Sequence, residues 1–211
     1  MTPSQGTSQT YEYHELYPRR YFRHFFSVIS TRTYTVVTFL FSVAYVLTLV
    51  SVFGTNWLNF RTPGPFKSNI YYGLWKKCSS SGCRAFPDPD NGDCKEVGFC
   101  EKWQMAQNGM SIAGMLGVLI LVFFGTVFFL SPNRQARSWK YAVPLLSVHA
   151  ICQILPMGII AHLYGTSPRF YFGTTYDLAF LSCIVSWMLD VVCGVILFSI
   201  GMTSPPDYEP F

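Results

Sequence analysis

Four stretches of the chain, residues 34–54, 109–130, 141–164 and 178–202, are almost unbroken runs of apolar residues and contain one charged side chain between them, Asp190. A bilayer core about 30 Å thick is crossed by about 20 helical residues, so each stretch is long enough to span it. The pattern predicts an all-α membrane protein, a four-helix transmembrane bundle in one domain over 1–211. Its connections are an arm at 1–33, a long loop at 55–108, a short one at 131–140, another at 165–177 and a tail at 203–211. The arm carries Glu12, Glu15 and four arginines without an apolar core of its own, which is unlike a cleavable signal peptide. The first span is therefore expected to act as an uncleaved signal anchor.

Composition agrees: half of the 211 residues are hydrophobic and 12% are charged, against roughly 25% in soluble domains. Charge position then orients the spans. Arg19, Arg20, Arg23 and Arg32 precede the first span and Arg134, Arg137 and Lys140 fill the 131–140 loop, whereas 165–177 holds Arg169 alone among basic residues. By the positive-inside rule both termini are expected in the cytoplasm of a multi-pass plasma-membrane protein.

Cysteine usage points the same way. Cys78, Cys83, Cys94 and Cys100 lie in the long loop, while Cys152, Cys183 and Cys193 lie in the apolar runs. Four cysteines in one loop predict two disulfides and an oxidising, extracellular or lumenal side. The spacing C-x4-C-x10-C-x5-C lacks the close C-x2-C pairs of zinc ribbons, and no histidine lies in the loop, so zinc is the lesser alternative. Three pairings are open.

The long loop reads as a small β-unit. Aromatic and β-branched residues predict a strand over 70–78, a second short strand is expected over 95–100, and the Pro87-Asp88-Pro89-Asp90-Asn91-Gly92 run between them is dense in turn residues. A disulfide-stapled hairpin above the bundle follows. The loop is basic at first (Arg61, Lys67, Lys76, Lys77, Arg84) and acidic later (Asp88, Asp90, Asp93, Glu96, Glu101), a distribution that suits a solvated surface or an oriented partner. Trp57 at the top of the first span and Trp75 on the strand are expected as headgroup-level anchors. Gly73 is expected to allow close backbone approach.

Trp57 followed by Gly73-Leu74-Trp75-Lys76-Lys77-Cys78 resembles the W…GLWxxC signature of the claudin superfamily, which includes claudins, peripheral myelin and epithelial membrane proteins and stargazin-like calcium-channel γ subunits. The likeness extends over the whole layout of four spans, large first loop and short second loop. Trp103-Gln104 and Gln107 are similar to the W-L-Q-x-x-Q run of the myelin-protein branch, and Phe170-Tyr171-Phe172-Gly173 resembles the aromatic-glycine entry of the γ subunits. The resemblance implies a Cys78–Cys94 disulfide across an enlarged hairpin, leaving Cys83 with Cys100. This chain departs from the claudin branch in having no arginine at the start of the second span and no Tyr-Val terminus.

Within the spans, Gly109, Ala113 and Gly117 repeat at four-residue spacing, a small-xxx-small packing face. Ser182, Ser186, Asp190 and Gly194 share a stripe of the fourth span and direct its carboxylate into the bundle. Counted from the span ends, Asp190 lies at the depth of Gln153 and His149, and a contact with one of them is expected, with proton relay as the sharper alternative. Pro144 and Pro156 are placed to kink the third span.

No catalytic constellation, Gly-rich phosphate loop or cofactor motif emerges, so no enzyme and no cofactor is expected. The aromatic and basic arm, which could suggest nucleic acid, reads beside a membrane as a segment meeting anionic lipid. Pro205-Pro206-Asp207-Tyr208 matches PPxY, the ligand of WW domains found in ubiquitin ligases; Tyr13-His14-Glu15-Leu16 resembles a YxxΦ sorting signal; and Glu209-Pro210-Phe211 could offer a PDZ groove its carboxylate. The first function this supports is a structural membrane organiser acting at cell contacts, junctions or membrane domains through its loops, with itself or claudin-like proteins as partners. The second is an auxiliary subunit tuning a channel or receptor in the same membrane, and the third a transporter or enzyme built around Asp190.

Overall fold

The computed structural model describes residues 8–61, 69–170 and 173–203, with residues 8–30, 132, 133 and 136 described by their backbone alone. Helix α1 runs Ser8–Phe53, α2 Phe99–Phe128, α3 Pro132–Arg137, α4 Trp139–Thr166 and α5 Leu178–Thr203. The Thr31–Phe53 part of α1, with α2, α4 and α5, is long and apolar enough to cross a membrane, which makes this a multi-pass membrane protein. The spans agree with the sequence expectation to within a few residues, with two differences. Helix α1 starts far upstream of residue 34, inside the expected arm. Helix α2 takes the last ten residues of the expected loop, because Phe99, Trp103, Ala106 and Met110 continue the helical spacing of buried positions above the membrane run.

Helix α1 packs on α2 and α5, and α4 packs on the same two helices, closing a ring. Four hydroxyls along α1 are satisfied within the helix: Thr35, Thr38, Ser42 and Thr48 each lie within hydrogen-bond distance of the carbonyl four residues back. That suits a segment with no water to bond. The expected small-residue face is a packing face. A Cβ on Gly109 would come within 2.6 Å of the Pro156 ring, and one on Gly117 would collide with the Tyr45 ring. Helix α4 continues through Pro144 and Pro156, and Pro156 is buried against α2.

Above the bundle lies a five-stranded antiparallel sheet in the order β4-β3-β2-β1-β5, formed by β1 (Leu58–Arg61), β2 (Asn69–Tyr72), β3 (Lys76–Ser79), β4 (Gly82–Ala85) and β5 (Thr174–Tyr176). Strand β5 comes from the 165–177 loop and pairs with β1, Leu58 opposite Tyr176 and Phe60 opposite Thr174. Both loops are thus one hydrogen-bonded unit.

Three loop expectations are corrected. The single strand over 70–78 is two strands, broken at Gly73, where a Cβ would meet Thr55 Cα at 2.6 Å; the close approach expected of this glycine is to the α1–β1 connection. The strand over 95–100 is absent, because Gly98 takes φ 77 and starts α2. The disulfides join Cys78 to Cys83 and Cys94 to Cys100, not Cys78 to Cys94. Register is the reason: Cys78 and Cys83 face each other across the β3–β4 hairpin with Cα atoms 4.0 Å apart, while Cys94 and Cys100 are brought to 5.4 Å by the turns that enter α2.

Candidate functional site

Two constellations stand out, one within the bundle and one in the loop unit. The bundle has two apolar clusters. One, around Phe41, Phe124, Leu146 and Leu197, lies toward the chain termini; the other, around Trp57, Trp103, Met110 and Ile160, lies under the sheet. A polar layer separates them. Asp190 Oδ2 accepts from His149 Nδ1 at 2.7 Å and from Gln153 Nε2 at 2.9 Å. Gln153 Nε2 is also 3.1 Å from His149 Nδ1, but a nitrogen donating to the carboxylate cannot accept from the amide, so that approach is a contact and not a bond. Beside this trio, Ser186 donates to the Ala44 carbonyl at 2.8 Å and its oxygen lies 2.8 Å from Thr48 Oγ1. His149 and Gln153 are one helical turn apart on α4, and Ser186 and Asp190 one turn apart on α5, so side chains four residues apart share a face. The sequence expectation of an Asp190 contact holds for both of its candidate partners.

The position of Trp57 is a correction. It is fully buried inside the protein instead of facing lipid: its Nε1 donates to the Ser51 carbonyl at 2.7 Å and its ring packs edge-on to Phe180. Ser51 is in the last turn of α1, where carbonyls lack helical partners, so the indole caps the helix. Trp75 is 41% exposed. Leu74, between them in the motif, is fully buried, and its carbonyl accepts from both Trp103 Nε1 at 3.0 Å and Gln107 Nε2 at 2.6 Å. The Gly73-Leu74-Trp75 turn is thereby bolted to the top of α2.

In the loop unit, Arg84 makes a two-pronged bond to Asp93, at 2.6 and 2.9 Å, and Arg169 from the other loop reaches Asp93 at 3.2 Å and the Gly92 carbonyl at 2.8 Å. Ser167 donates to Glu96 alongside. Burial raises the Asp93 carboxyl, but the Arg84 hydrogen bond, the Asp88 backbone N–H and the Arg84 and Lys77 charges outweigh it and hold Asp93 below the usual carboxylate range. The Arg84 guanidinium is raised, first by its bond to Asp93. Burial, and then Arg84, push the Lys77 ammonium down.

Phe170 adds the apolar part of this latch, its ring facing those of Tyr72, Phe99, Trp103 and Tyr164. Aromatic pairs contribute about 0.5–1.5 kcal/mol each, against at most about 1 kcal/mol for a partly exposed ion pair. Phe170 therefore holds the loop down, and Arg169 sets where it sits. The charges read along the sequence as a solvated surface thus include an internal clamp. Sequence reading missed the Arg84–Asp93–Arg169 set because Arg84 and Asp93 meet across an irregular turn with no helix or strand spacing to pair them, and Arg169 is 76 residues from Asp93.

No protein-family model and no curated protein matches the chain. Among the described residues no group of three or more His, Cys, Asp or Glu could hold a metal ion, and all four loop thiols are spent in disulfides. Of the short motifs, Pro205, Pro206 and Tyr208 of the PPxY run and the 209–211 terminus lie outside the described residues, as do Lys67, Tyr171 and Phe172. Tyr13 and Leu16 lie on α1, where only the backbone is described.

Proposed function

We propose that the protein is a claudin-like organiser of membrane contacts, without enzymatic activity, acting through its sheet as a recognition platform for itself or a claudin-like neighbour at the plasma membrane. The observation that carries this reading is the pairing of β5 with β1, which makes two distant loops one unit, latched again through Asp93 and Arg169. A platform of that kind holds its surface in one shape before it meets a partner, which lowers the ordering cost of binding. Strand β4 lies at the sheet edge, with Gly82, Cys83 and Ala85 exposed.

The W…GLWxxC residues support the family assignment through their packing roles: Trp57 caps α1, and Leu74 joins the sheet to α2. Sealing of His149, Gln153 and Asp190 inside the bundle supports a structural use of these groups over a catalytic or transport one. Two disulfides at the sheet end favour placing it outside the cell, and Arg32, Arg134 and Lys140 at the other end favour cytoplasmic termini. Membrane lipids are then partners along the spans, and a WW-domain ubiquitin ligase reading the tail would set surface abundance.

Mixing two differently labelled cell populations that express the tagged protein with non-expressing cells tests the proposal. Enrichment confined to contacts between two expressing cells is expected. Uniform surface signal would overturn it and favour the auxiliary-subunit reading, in which the protein copurifies with a channel or receptor of the same membrane.

A further inference from the structure

Helix α1 begins at Ser8, well before its membrane-spanning part Thr31–Phe53. Over residues 17–30 the helical backbone turns about 100° per residue, which sorts the positions by side. Positions 17, 18, 21, 22, 25, 26, 28 and 29 fall within one half of the circumference, and all are aromatic, aliphatic or proline. Positions 19, 20, 23, 24, 27 and 30 fall in the other half and are arginine, histidine or serine. No position in the segment breaks the division, and the segment contains no acid.

An apolar arc of about half the circumference opposite an arginine-rich face is the composition of a helix lying in the plane of a membrane interface. The same end of the bundle is basic elsewhere. Arg32, Arg134 and Lys140 are exposed there, and α3 is held to α1 by Thr31 Oγ1 donating to Gln135 Oε1 at 3.2 Å. The 131–140 connection adds no acid. Ser30, Thr31 and Thr33, all weak helix formers, lie within the continuous helix α1 between this segment and the membrane-spanning part.

We propose that residues 17–30 dock as an interfacial helix on anionic phospholipid headgroups at this end of the bundle, through a bend of α1 at residues 30–33, with one face of aromatic and aliphatic positions and an opposite face that holds Arg19, Arg20 and Arg23. Charge complementarity selects this occupant: an apolar face alone would accept any neighbour, but three arginines without an acid favour a negatively charged surface. The docked arm stiffens the cytoplasmic side of the protein and biases it toward membrane regions rich in anionic lipid, independently of what the sheet binds on the other side.

Hydrogen exchange of the full chain in nanodiscs decides the matter, comparing phosphatidylcholine alone with a mixture containing about one-third phosphatidylserine. Amides of 17–30 are expected to exchange about tenfold more slowly in the anionic discs. High salt should remove the difference, as should the triple variant Arg19→Gln, Arg20→Gln, Arg23→Gln. Unchanged exchange in 34–53 shows that the variant is folded, and Phe22→Ser with Phe25→Ser should lose the protection as well. Equal protection in both lipids, fast exchange in both, or protection that survives the arginine triple variant each overturns the proposal. None of these outcomes depends on a second cell or a sheet partner, so they are separate from the contact assay.

Discussion

Asp190 Oδ2 lies 2.7 Å from His149 Nδ1 midway along the bundle, and neither side chain has any exposed surface. Removing His149 leaves the buried carboxylate with Gln153 as its remaining partner, and removing Asp190 leaves both His149 and Gln153 without their acceptor, whereas removing both members of the pair strands only the Gln153 amide. Asp190→Leu and His149→Leu should each lower the thermal midpoint of the purified protein. The double variant should be less destabilised than the sum of the two, with a coupling of about 1–3 kcal/mol. Additive effects, or a wild-type midpoint for Asp190→Leu, would show that the pair does not clamp α4 to α5.

Because the folded-state Asp93 carboxyl is held below its unfolded value, the latch between the loops stabilises above the unfolded carboxylate range, about pH 3.9, and is lost as pH falls through the folded value. Exchange protection of β5 is therefore expected to be flat from neutral pH to about 5 and to fall only below about pH 4. Asp93→Asn should remove that acid-dependent limb and cost about 1–3 kcal/mol at neutral pH. A loss of protection already at mildly acidic pH would assign the loop contact to a different group.

Glycines give a paired comparison. A Cβ at Gly117 would strike the Tyr45 ring and one at Gly201 the Trp139 ring, while Gly125 and Gly158 have open space around the same position. Gly117→Ala and Gly201→Ala should cost about 1–3 kcal/mol through overpacking. Gly125→Ala and Gly158→Ala should be neutral or stabilising by up to about 1 kcal/mol. Thermal melts of the four variants in one detergent check the contrast, and equal effects would refute the packing assigned to α2.

Disulfide connectivity is open to direct mapping. Cleavage after Arg84 under non-reducing conditions should release the Cys78–Cys83 loop from the Cys94–Cys100 loop. A covalent link between peptides on either side of that cut would refute this connectivity in favour of one of the two crossing pairings, Cys78–Cys94 with Cys83–Cys100 or Cys78–Cys100 with Cys83–Cys94. Each short loop closes few residues, so replacing one pair by alanines is expected to cost about 2 kcal/mol.

What the sequence by itself determined is whatever a single helix or strand reveals through spacing. Runs of apolar residues marked four spans, because crossing a bilayer demands length and apolarity within one segment. The four-residue spacing of Gly109, Ala113 and Gly117, and the depth match of Asp190 with Gln153 and His149, were legible for the same reason: helical geometry converts residue number into face and height. Tertiary structure decided the rest. The Cys78–Cys83 pairing follows from strand register, the burial of Trp57 from a carbonyl left open at the end of α1, and the α2 start from a stripe of side chains finding the Gly73-Leu74-Trp75 turn. Joining of the two loops, through β5 on β1 and Arg169 on Asp93, depends on segments more than seventy residues apart. No local periodicity encodes such a meeting, because it is settled only when four helices have packed and fixed where the loop ends stand.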